Sequence, residues 1–198
     1  MDTFNVVKQF ESELCKYTGA KFAVTTNSCT MALLLACAYN KVEEVTIPNK
    51  TYISVPQSII HAGGTPKFED INWKGLYQLK PYPIWDSARW ISTGMYKPGQ
   101  FVCLSFHWAK TLKLGRGGVI LHDSYKADKW LRKARFDGRT AGKAPIDDEI
   151  EALGWNCYMS PKEAAEGLTR LSFLPKHNNP LPDDAYADLS KFKIFKKK

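Results

Sequence analysis

The chain reads as a layered α/β protein, and three observations predict it. Short β-rich apolar runs alternate with helical segments from Lys21 to Phe136. One of those helical segments, Met31 to Tyr39, is apolar on nearly every face, as a helix buried against a sheet must be. Finally, 198 residues with 44% hydrophobic and 24% charged side chains suffice for one well-cored globular unit.

Thr3 is a candidate cap for the first helix, in which Val6, Val7, Phe10 and Leu14 recur at helical spacing and Gly19 supplies the stop. Lys21 to Thr26 reads as a strand. The polar turn Asn27-Ser28-Cys29-Thr30 leads into the helix Met31 to Tyr39. Glu44 to Pro48 is a second strand. Thr51 to His61 is a helix whose first half is crowded by Pro56, and Gly63-Gly64 turn the chain into a strand from Thr65 to Glu69. Asn72 to Pro81 is weakly patterned and reads as loop. Tyr82 to Trp85 is a short strand ending at Asp86. Gln100 to Phe106 and Val119 to His122 are strands around a loop with three glycines, and Ser124 to Phe136 is a helix charged on one face. Asp137 to Asp148 is rich in turns. Ser160-Pro161-Lys162-Glu163 starts a helix running to about Leu171, with an N-cap, a proline at the first position and a capping-box glutamate. Residues 1–174 form the body, and 175–198 are expected to run extended along its surface.

The formal charge of +8 invites a nucleic-acid reading, but its location argues against one. Five of the lysines fall in the last eight residues, 191–198, leaving +3 for the body. The excess is a basic tail, not a basic groove, and aromatics do not interleave with Lys and Arg along one strand. The five cysteines form no CxxC pair, which fits a reducing compartment, and the four histidines lack metal-ligand spacing. The N-terminus has no signal-peptide core, and the longest apolar run is too short to span a bilayer. The expectation is a soluble, cytoplasmic protein with no membrane contact. The glycine loop Gly115-Arg116-Gly117-Gly118 fits neither the Walker nor the dinucleotide pattern, because strands stand where a helix start is needed.

Three segments deliver complementary groups to strand ends. The start of the second helix, Ser28 to Thr30, offers free backbone N–H groups and a positive dipole end to a phosphate, although Ser and Asn there are also ordinary caps. Asp86 offers a carboxylate, although a lone strand-end Asp is more often a cap. Lys110 offers an amine, and Ser105 a second phosphate ligand. An anion cradle, a buried acid and a reactive lysine are what pyridoxal 5′-phosphate requires: the acid keeps the ring nitrogen protonated and the lysine binds the aldehyde carbon as a Schiff base.

These residues resemble the DegT/DnrJ-type sugar aminotransferases, pyridoxal-phosphate enzymes of fold type I. The resemblance is carried in order by GAKFAVTTNSCTMALLLA, VTIPNKTYISVPQSIIHAGGTPKFEDI, PIWDSARW, SFHWAKTLKLGRGGVILHD and LGWNCYMSPKEAAEGLTRL, and covers residues 10 to 174. It implies a three-layer α/β/α fold around a mostly parallel mixed sheet. It also implies roles. Lys110 is the Schiff-base lysine and proton shuttle, and Asp86 pairs with the pyridinium nitrogen. Ser28, Cys29, Thr30 and Ser105 bind the phosphate, and Tyr52 stacks on the ring. Arg89 stands near the ring hydroxyl, His107 beside the site, and Asn156 reaches the phosphate of a second subunit in a homodimer. The implied reaction moves an amino group from glutamate or glutamine to a keto sugar, nucleotide-linked in this family.

The chain departs from the family pattern in four places. Cys29 replaces a turn glycine, and Cys157-Tyr158 replaces the residues around the arginine before Met159. The stretch between Asp70 and Tyr82 is short by a strand–helix unit, and most of the C-terminal small domain is absent. The alternative expectation is therefore a catalytically reduced protein that keeps the fold and binds cofactor or a partner without transamination.

Overall fold

The computed structural model describes residues 4–150, 152–182 and 185–195. Its helices are α1 (Asn5–Thr18), α2 (Cys29–Tyr39), α3 (Ser54–His61), α4 (Tyr125–Ala134) and α5 (Pro161–Ser172). Its strands are β1 (Phe22–Thr26), β2 (Glu44–Pro48), β3 (Thr65–Glu69), β4 (Tyr77–Leu79), β5 (Ile84–Asp86), β6 (Phe101–Ser105) and β7 (Gly118–His122). Local chemistry accounts for most boundaries. Gly19 ends α1 in the left-handed conformation at φ 82°, donating its N–H to Cys15 O. Ser160 and Glu163 complete the capping box of α5. α3 starts only at Ser54, which leaves Pro56 in a first turn whose N–H groups have no intrahelical partner anyway. Thr3 lies outside the described residues, and Phe4 occupies the position before α1.

Five strands pair in the order β1-β7-β6-β5-β4, and β2 and β3 form a parallel pair. A single antiparallel bridge, Thr46 to Lys80, ties β2 to the end of β4. Because strand side chains alternate in direction, the sheet sorts its residues onto two faces. Val24, Cys103 and Ile120 face one core with α2, α3 and α4, through Leu33, Leu35, Val55, Ile59 and Leu131. Ala23, Val102, Leu104, Val119 and Leu121 face the other, with Phe10 and Leu14 of α1 and Ala164 and Leu171 of α5. The result is the three-layer α/β/α arrangement. Side chains such as Phe10, Leu35 and Ile120 are fully buried, at about 1.5–3 kcal/mol of transfer free energy each.

The sheet is mixed, and less parallel than expected. The pairs β5–β6 and β2–β3 are parallel, whereas β1–β7, β6–β7 and β4–β5 are antiparallel. Two hairpin returns cause this: the glycine loop brings β7 back along β6, and the turn after Leu79 brings β5 back along β4. β4 itself overturns the reading of Asn72 to Pro81 as loop. Its three residues earn strand geometry from pairing, Tyr77 against Asp86 and Leu79 against Ile84, and not from any repeat of their own. The second strand of that hairpin, β5, starts at Ile84 and not at the expected Tyr82, because Pro83 lacks the N–H a ladder needs.

Residues 175–182 and 185–195 lie along the body without a strand. Lys176 O accepts from Thr93 N at 2.8 Å and Asn178 O from Trp90 Nε1 at 2.8 Å, while Leu181 N donates to Arg89 O at 2.9 Å. Further on, Leu189 N donates to Asn49 O at 2.8 Å, and Leu189 and Phe195 are buried, Phe195 against Phe68. Lys196 to Lys198 of the basic tail lie outside the described residues. Among the described residues, no helix is long and apolar enough to cross a membrane, and no cluster of His, Cys, Asp and Glu suits a metal ion.

Candidate active site

The carboxyl ends of β5 and β6, the start of α2 and the turn after β2 converge on a cavity of about 350 Å³, within the usual size range of small-molecule sites. Of the site residues expected from the sequence, Ser28, Cys29, Thr30, Tyr52, Asp86, Arg89, Ser105, His107 and Lys110 all line it. Asn156 does not. It is exposed and donates from Nδ2 to Asp137 Oδ2 at 3.0 Å, beside the bridge it makes with Phe136.

Each wall has a local cause. Ser28 caps α2, its Oγ accepting from Met31 N at 3.3 Å, so the first turn of α2 opens into the cavity with the N–H groups of Cys29 and Thr30 at its head. β7 approaches this turn closely. A Cβ on Gly118 would stand 2.6 Å from Cys29 N, so only glycine permits the contact, while Ser28 bridges to Gly117. Thr30 turns its hydroxyl onto Ser54 Oγ at 2.9 Å, tying α2 to α3. The loop after β6 is pinned by the buried side chains of Phe106, Leu112 and Leu114 and by the bond from Leu114 N to Phe106 O at 2.9 Å. Within it a turn closes from Lys110 N to His107 O at 2.9 Å, which brings the lysine back over the end of β6.

Asp86 is the buried acid of the site, 5% exposed. Its Oδ1 accepts from Ala88 N at 2.9 Å and its Oδ2 from the Tyr77 hydroxyl at 2.8 Å. Burial pushes its carboxyl up, while the Ala88 N–H, the Tyr77 hydroxyl and the charge of Lys110 pull it back. Burial likewise pushes the Cys29 thiol well up, helped by Asp86 and opposed by Lys110, so this cysteine is not a thiolate nucleophile at neutral pH. Both shifts carry the mark of Lys110, which places its amine within electrostatic reach of the carboxylate and of the α2 turn.

Sequence reasoning missed several residues here. Thr51, Ser54, Trp73, Arg116 and Tyr186 line the cavity. Arg116, inside the glycine loop, donates from Nε to Asn27 O at 3.1 Å and so clasps the turn before α2. Trp73 and Tyr186 stack with ring centres 6.1 Å apart, and Arg89 lies 6.0 Å from the Tyr186 ring. An arginine in a glycine loop was a signal for the first. Nothing local marked Tyr186, whose place depends on the whole path of the C-terminal segment.

The donor set suits pyridoxal phosphate: an N–H-rich helix start for a dianion, a buried carboxylate with lone pairs to spare, and an amine between them. Known proteins point the same way. Spore coat polysaccharide biosynthesis protein SpsC of Bacillus subtilis (strain 168) is 45% identical, over 85% of this chain and 57% of its own length. The crystal structure of AtS13 from Actinomadura melliaura superposes with a TM-score of 0.75 at 19% identity, covering 85% of this chain and 60% of that one. NtdA from Bacillus subtilis, solved with the bound cofactor PMP, gives a TM-score of 0.72 at 19% identity, covering 85% of this chain and 48% of that one. The chain thus spans 57% of its curated relative. The model of the DegT/DnrJ/EryC1/StrS aminotransferase family matches residues 1–84 and 92–180, pausing at the stretch that holds Asp86 and Arg89, whose case rests on the cavity. With that match over most of its length, the chain belongs to the DegT/DnrJ/EryC1/StrS aminotransferase family.

Proposed function

We propose that the cavity binds pyridoxal 5′-phosphate and that the chain is a sugar aminotransferase. The observation that carries this reading is the convergence of Lys110, Asp86 and the start of α2 on one cavity. When bound, the cofactor supplies an aldehyde that captures amines and a ring that withdraws electrons from the captured carbon. The backbone N–H groups of Cys29 and Thr30, with Ser28 and Ser105, hold its phosphate. The Asp86 carboxylate accepts a hydrogen bond from the ring nitrogen and keeps it protonated, and Tyr52 covers a ring face. Arg89 would stand near the ring hydroxyl, and His107 beside the site. Lys110 would anchor the cofactor covalently and would move the proton between the substrate Cα and the cofactor's aldehyde carbon. Glutamate or glutamine gives the amino group, and a keto sugar, nucleotide-linked, receives it. Two chains would form a homodimer in which Asn156, which does not line its own cavity, serves the partner's phosphate site. SpsC by its name, and family membership, support the sugar class.

Purified protein mixed with pyridoxal phosphate should take on the long-wavelength absorbance of lysine-bound cofactor, and Lys110→Ala should lose it. A wild-type chain that stays colourless refutes the reading. The internal stretch between Asp70 and Tyr82, which holds only the three-residue strand β4, favours a second reading in which the chain binds cofactor without turnover. Glutamate added to the loaded protein decides: conversion to the amine form of the cofactor supports the enzyme, and an unchanged spectrum supports the binder.

A further inference from the structure

Tyr77 and Asp86 are direct partners in the antiparallel register of β4 and β5. The buried Tyr77 hydroxyl lies 2.8 Å from Asp86 Oδ2 and 2.6 Å from the buried Thr51 hydroxyl. A phenol has one proton, and an ionised carboxylate only accepts. The Tyr77 proton therefore goes to Asp86, and its oxygen accepts from Thr51. The line runs in one direction, from the turn after β2, through the hairpin, to the end of β5. Asp86 and Thr51 line the cavity and Tyr77 stands behind them.

We propose that Tyr77 is a positioning residue of the cofactor site: backed by Thr51, its hydroxyl fixes the orientation of the Asp86 carboxylate and keeps it ionised to meet the ring nitrogen. The inference rests on the pyridoxal-phosphate reading of the cavity. The surroundings of Asp86 make such a donor necessary. Burial opposes its charge. The thiols that face it, Cys29 on α2 and Cys103 on β6, are both pushed up by burial and carry no charge at neutral pH, and the Tyr77 phenol is pushed up in the same way. Lys110 acts on the carboxylate through its charge, and Ala88 N and Tyr77 through hydrogen bonds, one to each oxygen. Among the described residues, Tyr77 is the hairpin's donor to Oδ2.

Tyr77→Phe removes the hydroxyl and keeps the ring, so the contact with Trp73 at 4.7 Å between centres persists. The first readout needs no cofactor: a carbon-13 NMR titration of the Asp86 side chain. The expected result is a midpoint higher by on the order of one pH unit in Tyr77→Phe, because a hydrogen bond to the charged form is lost. The second is the equilibrium binding of pyridoxal phosphate followed by absorbance, expected to weaken by on the order of tenfold. Thr51→Val should move both in the same direction by less, and it carries the test should Tyr77→Phe fail to fold. An unmoved Asp86 midpoint, or a moved midpoint with unchanged cofactor affinity, overturns the proposal. If wild-type protein takes up no cofactor, the site reading and the cofactor half of the proposal both fall, and a raised Asp86 midpoint still supports the Tyr77–Asp86 coupling.

Discussion

Replacing Glu11 by alanine should cost the fold about as much as a large truncation in the apolar layers. Glu11 stands on α1 among Val7, Phe10 and Leu14 and is 3% exposed. Its Oε1 accepts from Thr25 N at 2.9 Å, from Thr25 Oγ1 at 2.8 Å and from Arg135 NH1. Its Oε2 accepts from Arg132 NH1 at 2.6 Å. One carboxylate thus joins α1, β1 and α4. Burial alone would push it up, but Arg135 and Arg132 outweigh burial and hold it below the usual carboxylate range. In Glu11→Ala the buried Arg135 loses its counter-charge, a change that costs ~3–5 kcal/mol when a buried pair is broken. The Thr25 N–H is orphaned as well, at ~1–3 kcal/mol. These penalties overlap, and about 4 kcal/mol is the expected net. That is a large part of the ~5–15 kcal/mol available to a domain, and corresponds to a fall in melting temperature of ~8–16 °C at this chain length. Glu11→Gln keeps the shape and an acceptor for Thr25 and should lose about half as much. Urea unfolding at pH 7, followed by circular dichroism, measures both. A Glu11→Ala variant within ~1 kcal/mol of wild type would refute the claim that this charge is needed where it lies. The pH dependence has a definite sign: a carboxylate with a lowered folded value adds stability above its unfolded value near 4.5, and loses it as pH falls through the folded value.

His122 should govern a separate part of the acid profile. It is fully buried between Phe22 and Phe101, with Nε2 3.7 Å from Asp128 Oδ1, and burial lowers it from 6.5 to about 4. Between those values the unfolded chain takes up a proton that the folded chain refuses. Stability should therefore fall by about 3 kcal/mol as pH drops from 6.5 to 4, and His122→Phe should flatten that slope in urea unfolding at stepped pH. Gly167→Ala should lower the melting temperature through overpacking, at ~1–3 kcal/mol, because the added Cβ would meet the Phe10 ring at 2.6 Å on the α1–α5 seam; a neutral result would mean that the two helices separate freely.

The parts of the molecule written in local chemistry were legible in the sequence. Ser28 and Ser160 announce helix starts within four residues of themselves, Gly19 announces a stop, and Lys110 and Asp86 stand directly after apolar runs. What depends on partners distant in the chain was not. Tyr77-Gln78-Leu79 is too short to show a period, and becomes a strand only because Asp86 and Ile84 lie across from it. Glu11 sits at an ordinary polar position of an amphipathic helix until α4 brings Arg132 and Arg135 to it. Trp73 and Tyr186 meet across more than a hundred residues. Strand direction was hidden for a similar reason: the apolar runs of β6 and β7 read alike whether they pair parallel or antiparallel, and the loop between them decides.

The path of the C-terminal segment also sets an order of events at the ribosome. Lys110, Asp86 and the α2 turn emerge well before Tyr186, yet Tyr186 is part of the same cavity wall. A nascent chain holds all of these groups while one wall is still unmade. A message cut short between Leu174 and Tyr186 would encode a chain that keeps the whole sheet and Lys110 but lacks one side of the cavity. Completion of the pocket is thereby coupled to completion of synthesis through Tyr186.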